Sequence, residues 1–125
     1  DENLIKAARE TLEKNYHRIR HTVASAVLCS SGRIYTGINV ESIKGPCAEE
    51  VAIGTALTNG EREFLSVVAV EKEKGKYSVI SPCGNCRQML LIYAPEAMAI
   101  FNNNGEIVKT QAKNLIPGPY VCFCD

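Results

Sequence analysis

At 125 residues the chain has the size of one domain, which we expect to span residues 1–125, and it can bury a core without disulfide staples. Its 14 Lys and Arg balance its 14 Asp and Glu with no run of like charge, which argues against a nucleic-acid backbone as partner and for a small molecule. No basic-then-apolar leader and no membrane-spanning run is read, and three of the six cysteines fall at metal-ligand spacing, so a reducing, cytoplasmic setting without a membrane partner is expected.

Leu4, Ile5, Ala8 and Leu12 recur at helical spacing among charged residues and predict an amphipathic first helix. Val23 to Cys29 and Ile34 to Val40 predict two strands joined by Ser30-Ser31-Gly32-Arg33 as an antiparallel hairpin. A polar loop from Glu41 to Pro46 leads to a helix over Cys47 to Leu57, rich in Ala, Val and Ile. Phe64 to Val70 has the apolar run of a strand covered on both sides, and the charged stretch from Glu71 to Lys76 is expected to be a solvated connector. Val79-Ile80-Ser81 ends a strand, and Pro82 is expected to start a second helix that Pro95 stops. Ala97 to Phe101 predicts another strand, Asn102 to Gly105 a turn, Ile107 and Val108 an edge strand, and Ala112 to Ile116 at most a short helix. Strands alternating with helices predict an α/β sandwich with its chemistry where helices start at carboxyl ends of strands.

Cys47-Ala48-Glu49 and Pro82-Cys83-Gly84-Asn85-Cys86 both fall at expected helix starts, where free amide groups carry partial positive charge and favour thiolates. Cys47, Cys83 and Cys86 would hold Zn2+ through sulfur and leave the fourth position open for water. Glu49 is the candidate catalytic proton carrier, and Arg87, next to Cys86, the candidate for balancing the negative charge of three thiolates on a dication. On a regular helix Cys47 and Glu49 would point nearly oppositely, so this reading requires the metal to lie over the helix end. Cys29 is expected to be a small buried hydrophobe, His17 and His21 exposed, and Cys122 and Cys124 receive no role. Two other classes stay open: a non-catalytic structural zinc protein in which Cys122 or Cys124 closes a four-cysteine site, and a redox pair of Cys83 and Cys86.

These motifs, with Ser81-Pro82-Cys83-Gly84-Asn85-Cys86-Arg87-Gln88, resemble the cytidine deaminase superfamily, zinc enzymes that act on cytosine-like rings. The resemblance implies a three-layer α/β/α fold with a mixed five-stranded sheet, one zinc per subunit and a homotetramer. It also implies a hydrolase that turns the cytosine ring of a nucleoside into uracil and releases ammonia, as in pyrimidine salvage. Asn39 and Glu41 match the pair that reads sugar hydroxyls in nucleoside deaminases, and Ala48 and Ser81 would meet the base through their backbones. The segments Val23 to Leu28, Ser31 to Gly37, Gly45 to Glu49 and Pro117 to Val121 look especially like the blasticidin S deaminase branch, the alternative reading. Within it Tyr120 either caps the core or meets the substrate. Where an arginine commonly follows the catalytic glutamate in tetrameric nucleoside enzymes, this chain has Glu50.

Overall fold

A computed structural model describes residues 1–121 of the chain. Helix α1 (Glu2–Asn15) precedes strands β1 (Val23–Cys29) and β2 (Ile34–Ile38), helix α2 (Ala48–Thr58) and strands β3 (Phe64–Glu73) and β4 (Lys76–Ile80). Helix α3 (Gly84–Tyr93), strands β5 (Met98–Asn103) and β6 (Glu106–Gln111) and a 3₁₀ turn (Ala112–Leu115) complete it. The sheet runs β2-β1-β3-β5-β6, and β4 pairs with the C-terminal half of β3. Among the described residues only the β3–β5 pairing is parallel, so the sheet is mixed as expected and five strands wide, with β4 as a sixth strand on the edge of β3 that β5 also uses.

The alternation of side chains along β1 and β3 sorts the core into two halves. Ala24, Ala26, Val68 and Val70 face α1, whose Leu4, Ala8 and Leu12 close that side. Val27, Cys29 and Val67 face the other way, where Ala52, Ile53 and Ala56 of α2 and Leu90 of α3 pack on them. This is the α/β/α layering, and Cys29 is the buried hydrophobe expected of it. Gly37 sets how closely α2 approaches the sheet: a Cβ there would lie 2.5 Å from the Ala52 amide nitrogen and 2.8 Å from Val51 Cβ.

The expected connector from Glu71 to Lys76 is instead the end of β3, the turn Lys74-Gly75 and the first residue of β4. Both turn residues have positive φ (51° and 77°), the geometry of a tight two-residue hairpin. Residues 73–76 are exposed as expected but in a paired hairpin and not in coil, and the Lys72 ammonium lies 4.6 Å from the Tyr16 ring centroid and 5.3 Å from that of Tyr77. Asn104-Gly105 makes the matching turn between β5 and β6, and the edge strand is longer than Ile107 and Val108 alone. The second metal helix starts at Gly84, with Cys83 as its N-cap in extended conformation, two residues later than Pro82.

Candidate active site

Strand β2 leads through the loop 39–46 to the start of α2, and β4 leads through Ser81-Pro82 to the start of α3. A cavity of about 330 Å³ lies where these ends meet, with walls that include Asn39, Glu41, Cys47, Ala48, Glu49, Ser81 and Cys83. Six of the expected site residues besides Cys47 therefore share one cavity, drawn from segments more than 40 positions apart. Thr22, Val23 and Ile80 also line it, as apolar or backbone wall that the sequence reading did not single out.

The sulfurs of Cys47, Cys83 and Cys86 all lie within 4.8 Å of one another, with Cys47 Sγ 3.6 Å from Cys83 Sγ. Tetrahedral zinc with sulfur ligands at about 2.3 Å needs sulfurs about 3.8 Å apart, inside that range, and soft thiolates are the donors that select zinc. Among the described residues no fourth His, Cys, Asp or Glu joins the group. Cys122 and Cys124, which a closed site would use, lie outside the described residues. Burial pushes the Cys47 thiol up to about 11, with the neighbouring Cys83 adding to the shift, and burial raises Cys86 further. A dication reverses that preference, because it binds the thiolate and not the thiol.

Cys47 is the N-cap of α2, not a residue of its first turn, which removes the orientation difficulty with Glu49. Its extended backbone (φ −71°, ψ 160°) turns the thiol out of the helical screw, so the sulfur and the Glu49 carboxyl can address one point over the helix end. Glu49 is 4% exposed and lines the cavity. Burial raises its pKa, opposed by its own backbone amide and the Cys86 thiol, while the charge of Glu50 adds a smaller upward push. Burial thus favours the protonated carboxyl, the direction that suits a group which both takes and returns a proton.

Asn39 is held on every side. Its Oδ1 accepts the N–H of Thr22 and of Val23, each at 3.1 Å, and its Nδ2 donates to the Arg20 carbonyl at 3.1 Å. His21, half-buried, donates from Nδ1 to the Asn39 carbonyl at 2.8 Å, while the exposed His17 accepts the Ile19 and Arg20 amides in a local turn. The two histidines thus build the turn before β1 and hold no metal ligand position. Glu41 is exposed at the cavity wall. The Ser81 hydroxyl donates to the Asn102 carbonyl, which ties the end of β4 to β5.

Arg87 donates from Nε to the Pro82 carbonyl at 2.8 Å and from a terminal nitrogen to the Leu115 carbonyl at 2.9 Å. Its guanidinium therefore fastens the backbone that carries Cys83. Tyr120 is 73% exposed and is not among the residues lining the cavity; Gln88 holds its backbone at both ends, donating to the Tyr120 carbonyl at 2.8 Å and accepting its N–H at 3.2 Å. Glu50 is the residue the sequence reading noted without a role: its Oε1 accepts the Cys47 N–H at 2.9 Å. The spacing Cys47-x-x-Glu50 is that of a capping box with cysteine in the place of serine or threonine, a signal that would have found it.

Comparison with known proteins agrees with this geometry. Residues 1–102 match the family model of the cytidine and deoxycytidylate deaminase zinc-binding region. A blasticidin-S deaminase from Bacillus cereus is 34% identical, aligned over 96% of this chain and 91% of its own length. A cytidine deaminase from Sporosarcina psychrophila is 31% identical over 95% of this chain and 90% of its own. The crystal structure of cytidine deaminase from Burkholderia pseudomallei superposes with a TM-score of 0.77 at 31% identity, covering 95% of this chain and 98% of that one. Fold and sulfur cluster together define a zinc-dependent hydrolytic deaminase. The chain belongs to the cytidine deaminase family.

Proposed function

We propose that this enzyme hydrolyses the amino group of a cytosine nucleoside, cytidine or deoxycytidine, to give the uracil product and ammonia, with Glu49 as the catalytic residue. The observation that carries the reading is a buried carboxyl in the wall of the same cavity as two of the three sulfur donors. Cys47, Cys83 and Cys86 would hold Zn2+, which would supply Lewis-acid activation of a water. Glu49 accepts a proton from that water and delivers it to ring N3 while the oxygen adds at C4. It then takes the proton of the new C4 hydroxyl and hands it to the departing amine, so the C–N bond breaks, C4 becomes a carbonyl and ammonia leaves. Ala48 and Ser81, both in the cavity wall, would meet the edge of the base through their backbones.

Asn39 and Glu41 would read the sugar. The backbone bonds of Asn39 leave one Nδ2 hydrogen for a hydroxyl, and the Glu41 carboxylate can accept from one, a charge-assisted contact. A second reading, blasticidin S as substrate, is favoured by the 34% identity with a blasticidin-S deaminase. Tyr120, exposed on a chain segment clamped to α3, would then meet ligand only in the setting of a second subunit, and a homotetramer is the assembly we expect. Residues 1–125 act as one deaminase domain in this reading. Thiolate ligands suit a reducing cytoplasm, and no helix of the described residues is long and apolar enough to cross a membrane.

Ammonia release and the ultraviolet change from cytosine to uracil, measured with cytidine, deoxycytidine, cytosine and blasticidin S, test the reading. Turnover of both nucleosides supports it. Turnover of blasticidin S alone moves the assignment to the antibiotic, and no turnover by zinc-loaded protein refutes deamination of these compounds.

A further inference from the structure

The first zinc donor is held by a carboxylate that takes no part in the chemistry described above. Cys47 stands at the junction of the loop 39–46 and α2, and in its extended N-cap conformation its sulfur lies within 4.8 Å of those of Cys83 and Cys86. Two bonds hold that junction: the Val40 N–H donates to the Pro46 carbonyl at 3.1 Å, and the Cys47 N–H donates to Glu50 Oε1 at 2.9 Å. Within the first turn of α2 the acidic residues divide the work, with Glu49 turned into the cavity and Glu50 turned back onto the ligand's own amide. Pro46 has no N–H to offer, and the Val51 N–H is already given to the Cys47 carbonyl. The Glu50 bond is therefore what fixes the ligand's amide side.

We propose that Glu50 is a positioning residue for zinc: by accepting the Cys47 N–H it sets the backbone from which the first sulfur donor reaches the metal. The role belongs to acceptor geometry and not to charge, since a second carboxylate beside three thiolates adds repulsion that the hydrogen bond must outweigh. Glutamine keeps an acceptor oxygen at the same reach and removes the charge, whereas methionine keeps the length and helix preference and removes the acceptor.

The test uses zinc-loaded protein. Zinc release into excess chromophoric chelator is timed for wild type, Glu50→Gln and Glu50→Met, and the sulfur-to-cobalt charge-transfer band is recorded after cobalt replaces zinc. Outer hydrogen-bond partners of metal ligands are typically worth roughly 10- to 100-fold in affinity. We expect Glu50→Met to release zinc faster by roughly that factor with a shifted cobalt band, and Glu50→Gln to stay within about threefold of wild type. Glu50→Met releasing zinc within about twofold of wild type would overturn the proposal, as would Glu50→Gln releasing it as fast as Glu50→Met. A helix cap without a metal role would lower thermal stability in Glu50→Met and leave the release rate and the cobalt band in place. Neither readout involves substrate, so this inference and the proposed reaction fail separately.

Discussion

The two helix starts that supply the sulfur donors are braced in opposite ways. At α2 a carboxylate three residues on accepts the amide of the capping Cys47; at α3 a guanidinium donates to the carbonyl before the capping Cys83 and to Leu115, 28 residues away. The first brace is local and anionic, the second long-range and cationic. The α2 start is also the more enclosed, carrying buried Ala48 and Glu49, whereas Cys83 is exposed at the cavity. The difference teaches that one start presents the proposed proton carrier and the other docks the C-terminal segment, so damage to each should be read by a different measurement.

The largest effect should come from the α2 start. Glu49→Gln removes the proton carrier without touching a sulfur, and steady-state assays should find turnover reduced by roughly 10²- to 10⁴-fold at unchanged zinc content. A variant that keeps more than about a tenth of wild-type rate removes Glu49 from the mechanism.

Acid should act on both starts at once through the thiols. Cys47 and Cys86 are raised in the absence of metal, so they are protonated at neutral pH and zinc must displace a proton from each. Affinity is therefore present at high pH and lost as pH falls. Because all three sulfur ligands must bind as thiolates, chelator competition between pH 8 and 6 should show weakening of up to roughly 1,000-fold per unit, the slope for three displaced protons, and a slope near zero would contradict thiolate ligation.

Two smaller changes separate the starts again. Gly37→Ala would push a methyl against the Ala52 amide and shift the whole of α2, and chemical denaturation should report a loss of roughly 1–3 kcal/mol. A neutral result there would mean that α2 can slide without cost. Arg87→Lys keeps the charge but cannot span both carbonyls, so it should cost about 0.5–1.5 kcal/mol with zinc retained, seen as a thermal shift of a few degrees. Full stability in that variant would assign the brace to charge alone.

Local signals in the chain were enough for much of this. The stripe Leu4, Ala8, Leu12, the alternation in Val23 to Cys29 and the turns at Gly32 and Asn104-Gly105 each depend on neighbours within a few residues, and each element is found where its pattern falls. The stretch Glu71 to Lys76 misled because its backbone pairs as the β3–β4 hairpin and Lys72 lies against the rings of Tyr16 and Tyr77, contacts that spacing along the chain does not reveal.

The sequence by itself determined the donor set, the carboxyl beside the first donor and the resemblance that the family match bears out, because residue type and short spacing carry that chemistry. Tertiary structure decided how each side chain is engaged. Asn39 spends most of its amide on the turn before β1, Arg87 grips two carbonyls, and Tyr120 stands outside the cavity, held by Gln88. The physical reason is that a polar side chain bonds to whichever donor or acceptor packing brings within about 3 Å, and those partners come from segments the chain order leaves far apart.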